Sequence, residues 1–195
     1  MILWQSGLLQ IGISHFNHNR EFIWKPRGFQ SVEEMNEAIV ERHNSVVAPE
    51  DDVYVLGDLC LGGGGAEVLT RAKAFIESMN GKLHIILGNH DTPARVEMYK
   101  TCKNVVDIKY ADMIHYRGYH FYLSHFPTLT ANLEKESLKQ CTINLFGHSH
   151  QTDNFYNDMP FMYHIGVDSH DCCPVLLDDA IEEMKNKVKE CYAQL

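Results

Sequence analysis

The chain has 195 residues, 45% of them hydrophobic and 22% charged, and a formal net charge of −9. That is enough for one globular domain with a sizeable core, and it excludes disorder as the main state. The acidic balance argues against bulk binding to nucleic acid or an anionic membrane, yet it permits a small phosphorylated substrate, because bound cations reverse the local field.

The opening MILWQSGLLQIGI is apolar but lacks a basic start and a clear cleavage site. It is therefore read as leading into a first strand, near Leu8 to Ile13, rather than as a leader. No apolar run reaches the ~18 residues of a membrane helix. Ser31-Val32-Glu33-Glu34 has the form of a capping box, and Val32, Met35, Ile39, His43 and Val46 then mark one helical face. Val53 to Leu56 predicts a buried strand running into Gly57-Asp58, and Gly62 to Gly65 a turn. Val68, Leu69, Ala72, Phe75, Ile76 and Met79 have helical spacing, stopped at Gly81. Leu83 to Leu87 predicts the next strand, ending at Gly88-Asn89-His90-Asp91.

Pro93 suits the first turn of a short helix. Val105 to Ile108 predicts a strand, and Met113 to Tyr116 with Tyr119 to Leu123 a hairpin around Arg117-Gly118. Thr142 to Phe146 and Phe161 to Val167 predict two more strands. Asp178 and Asp179 open a last helix whose apolar stripe is Ile181, Met184 and Val188. The alternation predicts an α/β chain forming a single domain over 1–195. The six cysteines form no C-x-x-C pair and read as reduced thiols of a cytoplasmic protein.

Four polar clusters follow predicted strands: Ser14-His15-Phe16-Asn17-His18, Gly57-Asp58, Gly88-Asn89-His90-Asp91 and Gly147-His148-Ser149-His150. His125 lies between the last two. They offer imidazole, carboxylate and amide oxygen, ligands that suit Mn, Fe, Zn, Co or Ni. Each cluster alone is equally a turn or a helix cap. Four in this order, each at the carboxyl end of a strand, are not expected of independent turns.

The order G-D, G-N-H-D, a late His and G-H-x-H resembles the calcineurin-like metallophosphoesterases, especially small bacterial and phage-type members. Supporting stretches are Ser31 to Glu37, Asp52 to Asp58 and Gly166-Val167-Asp168. The resemblance implies an αββα sandwich of two packed, mainly mixed sheets flanked by helices. It also implies metal-dependent hydrolysis of a phosphomonoester or phosphodiester at a dinuclear site. Asp58 would bridge two divalent ions, Mn being the first expectation. Asn89, His125 and His148 would complete one shell, while His15 and His150 would serve the other ion. His90 would assist the leaving oxygen, Asp91 would orient its ring, and His18 would touch substrate.

The family motif begins D-x-H, whereas this chain reads Ile13-Ser14-His15. Ile13 offers no lone pair, so the ion at His15 and His150 is expected to bind more weakly. The expected partner is a small phosphorylated substrate such as a nucleotide, with no membrane and no nucleic acid. A catalytically weakened binding or scaffold protein is the alternative that Ile13 favours. A nuclease is disfavoured by the net charge.

Overall fold

The computed structural model describes residues 9–12, 15–63, 65–130 and 137–192. In chain order its strands are β1 (Leu9–Gly12), β2 (Asp52–Leu56), β3 (Lys82–Ile86), β4 (Val105–Lys109), β5 (Ala111–Tyr116), β6 (Tyr119–Ser124), β7 (Thr142–Phe146), β8 (Met162–His164) and β9 (Val175–Leu176). The helices are α1 (Glu21–Trp24), α2 (Val32–Val46), α3 (Ala66–Ser78), α4 (Pro93–Tyr99) and α5 (Leu177–Tyr192).

Two mixed sheets result. One has the order β4-β3-β2-β1-β9, parallel except for β9. The other has the order β5-β6-β7-β8, parallel except for β5. Alternation along β2 sets the layers. Tyr54 and Leu56 face the inter-sheet core with Phe121, Leu123, Ile143 and Leu145. Val53 and Val55 face the opposite way, onto Met35 and Ile39 of α2, Ala72 and Ile76 of α3, and Tyr99 of α4. Helix α5 adds Ala180, Ile181 and Met184 to the inter-sheet core. The sheets flanked by helices are the fold that the resemblance implied.

Ser31 Oγ accepts from the Glu34 N–H at 3.1 Å, as the cap predicts. Glu34 Oε2, however, accepts from Gln30 N rather than from Ser31 N. Val46, expected on the apolar face, is 47% exposed, and its carbonyl accepts from Gln10 Nε2 at 2.7 Å. The late strand is shorter than its apolar run, because the chain turns at Gly166, whose carbonyl accepts from Ser169 N. Helix α1 and strand β9, four and two residues long, had no periodic signal to announce them. Cys60, Cys102, Cys172, Cys173 and Cys191 are free thiols. Among the described residues no helix is long and apolar enough to cross a membrane.

Candidate metal centre

The polar clusters collect just past the carboxyl ends of β1, β2, β3, β6 and β7, where two sheets of largely parallel strands deliver them to one edge. Five of these residues have left-handed backbone: His15 (φ 52°), Asn17 (φ 60°), Asp58 (φ 51°), His148 (φ 52°) and His150 (φ 45°). Such conformations cost non-glycine residues on the order of 1–3 kcal/mol each and persist where the surroundings dictate them. Glycines make room for this. A Cβ on Gly88 would lie 2.3 Å from Asp58 Oδ1, so the Gly88-Asn89 turn can close onto Asp58 only without a side chain.

Asp58, Asn89, His125 and His148 meet at one point. His125 Nδ1 donates to the Leu56 carbonyl at 2.9 Å, which fixes the ring and turns Nε2 into the site. Around Nε2 stand Asn89 Oδ1 at 2.9 Å, His148 Nδ1 at 3.1 Å and Asp58 Oδ2 at 3.3 Å. One proton on Nε2 cannot satisfy three acceptors. Lone pairs from four side chains aimed at one spot are what a divalent cation requires. Asp58, His125 and His148 each offer a ligand atom within 4.8 Å of the others. Burial works against the Asp58 carboxylate, but His125 and the His90 N–H outweigh it and hold the pKa at about 2. Burial likewise opposes charge on His125, yet Asp58 and the Leu56 carbonyl raise its pKa. The pair therefore favours a positive charge beside Asp58.

A second group is His15, His18 and His150, again with ligand atoms within 4.8 Å of one another. His15 is 3% exposed, and its Nδ1 has no hydrogen-bond partner. A buried orphan donor-acceptor costs about 1–3 kcal/mol, which a bound ion or its water would offset. Burial, reinforced by the His150 imidazole, holds His15 well below its ordinary pKa, leaving the neutral ring that metals bind. His150 is oriented from behind: its Nδ1 meets Asp168 Oδ2 at 2.9 Å. Asp168 is gripped by Arg27, Nε to Oδ1 at 2.8 Å and Nη2 to Oδ2 at 2.9 Å. The Arg27 side chain is only 4% exposed. The two groups thus match the donor set of a divalent-metal centre.

Asp91 departs from the expected role. Its carboxylate accepts from Gly88 N (2.7 Å), Asp58 N (2.9 Å) and the Tyr99 hydroxyl (2.7 Å). Among the described residues no hydrogen bond joins it to the His90 ring. Asp91 therefore clamps together the two turns that carry Asp58 and Asn89, because three donors already surround it. The His90 backbone is fixed instead: its N–H donates to Asp58 Oδ1 at 2.8 Å, and its carbonyl accepts from Arg95. Tyr99 and Arg95, both buried, were missed because α4 reads only as a short helix. Ile13 lies outside the described residues.

Residues 32–166 match the calcineurin-like phosphoesterase superfamily domain. An uncharacterized protein of Methanocaldococcus jannaschii is 32% identical over 155 residues, 78% of this chain and 73% of its own. The gene 66 protein of Mycobacterium phage D29 is 28% identical, across 78% of this chain and 83% of its own. In fold, a protein of unknown function from Aquifex aeolicus superposes with a TM-score of 0.65 at 21% identity, covering 91% of this chain and 99% of that one. The sequence order of the ligand-type residues, their convergence and these matches agree: this chain belongs to the calcineurin-like phosphoesterase superfamily.

Proposed function

We propose that the protein is a metal-dependent hydrolase of small phosphomonoesters or phosphodiesters, with a dinuclear centre. The observation that carries this is the convergence of Asp58, Asn89 and His148 on His125 Nε2, with His148 lining one recess together with the His15 and His150 imidazoles. Asp58, Asn89, His125 and His148 would hold one ion, His15 and His150 the other, with Asp58 shared. Divalent ions there, Mn foremost and Fe, Zn, Co or Ni as alternatives, supply an activated water and neutralise phosphoryl charge. His90 projects from a backbone held by Asp58 and Arg95, and its exposed ring is free to protonate or stabilise the leaving oxygen. Asp91 and Tyr99 keep the Asp58 and Asn89 turns in register.

A cavity of about 450 Å³ opens beside His18 and His150, with Phe22, Arg27 and Arg42 among its walls. That size suits a small ligand. Phe22 is 72% exposed, a surface on which a base can stack, so a nucleotide or similar phosphoester is the substrate class we assign. The test is hydrolysis of bis(4-nitrophenyl) phosphate by metal-free protein resupplied with Mn²⁺. Turnover that needs the metal and falls at least about 100-fold in Asp58→Asn is expected. Equal rates with and without chelator would overturn the proposal. Metal binding with no turnover on any phosphoester would make the chain a binding protein instead.

A further inference from the structure

The family motif supplies an aspartate two residues before His15, and here that position is Ile13. The ion at His15 and His150 is therefore short of one anionic ligand. His18 stands three residues on from His15, and its ring joins the same cluster. It stacks on His15 with an interplanar angle of 14° and a centroid separation of 5.9 Å, and it meets His150 edge-on at 6.0 Å. His15 and His150 are themselves 4.6 Å apart, edge to face.

The loop is built to present both rings. Asn17, between them, has φ 60° and is pinned to α2. Its N–H donates to Asn36 Oδ1 at 3.0 Å, and its Oδ1 accepts from Asn36 Nδ2 at 2.9 Å. Asn36 is fully buried, so its side of this reciprocal pair is shielded from water. On the far side, Asp168 and Arg27 hold the His150 ring. The buried, unpartnered Nδ1 of His15 is an independent sign that a ligand belongs in the cluster. A four-coordinate ion with bonds of about 2.0–2.1 Å needs nitrogens about 3.4 Å apart. The ligand nitrogens of His15, His18 and His150 lie within 4.8 Å of one another, within reach of one such ion.

We propose that His18 is a protein ligand of the ion held by His15 and His150, so that the terminal ligands of that half-site are all imidazole. This rests on the metal-dependent reading above and deepens it. Replacing carboxylate by imidazole has a consequence for selectivity: imidazole suits Zn²⁺, Co²⁺ and Ni²⁺, whereas carboxylate suits Mg²⁺ and Mn²⁺. The half-site at His18 should take the first group in preference to the second. The site at Asp58, Asn89, His125 and His148 keeps its oxygen ligands and accepts either.

The test is calorimetric titration of the metal-free full chain with Co²⁺ and, separately, with Mn²⁺, alongside visible absorption of bound Co²⁺. The wild type is expected to bind two equivalents of Co²⁺ and to hold the second Mn²⁺ at least ten-fold more weakly than the second Co²⁺. His18→Ala should lose the second Co²⁺ or weaken it at least ten-fold, with its far-ultraviolet dichroism unchanged. Ile13→Asp in the His18→Ala background should restore the second equivalent and shift it towards Mn²⁺. His18→Gln, closer in size, carries the same expectation should the alanine form fold poorly. Two Co²⁺ equivalents of unchanged affinity in both His18 variants would overturn the proposal, even if KM rose. His18 would then be a substrate contact, and the proposed function would stand. Absence of any metal binding by the wild type would overturn both.

Discussion

Gly57 and Gly28 both have positive φ, +91° and +86°. Alanine at either costs about 1–2 kcal/mol for left-handed backbone alone. They differ in what a new Cβ would meet. At Gly28 nothing lies within 4 Å. At Gly57 the Cβ would lie 2.3 Å from His125 Nδ1 and 2.9 Å from the Gly88 Cα, an overlap that adds about 1–3 kcal/mol. Gly57→Ala should therefore cost about 2–5 kcal/mol in all, and Gly28→Ala about 1–2. With a urea dependence of about 2 kcal/mol per molar, the unfolding midpoint drops by about 1–2.5 M in the first case and about 0.5–1 M in the second. The Gly57 variant must also push aside the ring that donates to the Leu56 carbonyl. Loss of such an orienting bond weakens metal affinity about 10–100-fold. Gly28→Ala should leave affinity alone. Urea titration and metal calorimetry on both variants decide the matter. Equal midpoint shifts, or wild-type metal affinity in Gly57→Ala, would refute the idea that His125 is held by contact with a bare glycine.

Arg27→Met should cost about 3 kcal/mol in urea titration, since it strands the Asp168 carboxylate in a largely buried place. Arg27→Lys should fall between, keeping charge but losing the fork, and no loss in either would show that the pair is not structural. Asn36→Ala should cost about 1–3 kcal/mol and raise hydrogen exchange at the Asn17 amide, which loses its acceptor. Unchanged exchange would argue against the pinned loop. Burial, helped by the neighbouring His170, lowers the His164 pKa from 6.5 to about 4. The unfolded chain takes up that proton first, so the stabilisation is complete above the unfolded value and is lost as pH falls towards the folded one. Between pH 7 and 5 this group accounts for about 2 kcal/mol. His164→Gln should flatten the acid loss of stability by about that amount, and an unchanged slope would refute the assignment.

The strands were legible because buried strands of an α/β sheet are short apolar runs, and in this chain glycine punctuates their ends. Leu83 to Leu87 and Thr142 to Phe146 announce themselves in that way, and the ligand-type residues stand next to the punctuation. Their identity as one site was legible through order alone, since Gly57-Asp58, Gly88-Asn89-His90-Asp91 and Gly147-His148-Ser149-His150 follow strands that must share an edge. Strand β9 was not legible, because two residues carry no period and β9 exists only as an antiparallel partner of β1.

Orientation was decided only by tertiary packing. Arg27 and Asp168 are 141 positions apart, and nothing local tells a buried fork from a solvated arginine. Asp91 adjoins His90 in sequence, yet it serves Tyr99, Gly88 and Asp58, because the turn aims its carboxylate away from its neighbour's ring. His18 joins His15 and His150 through a backbone bend at Asn17 that α2 imposes through Asn36. Sequence fixes which donors are available and after which strand they appear. Which donors face one another depends on sheet register and on left-handed turns such as those at His15 and Asp58, whose strain only the folded surroundings can hold.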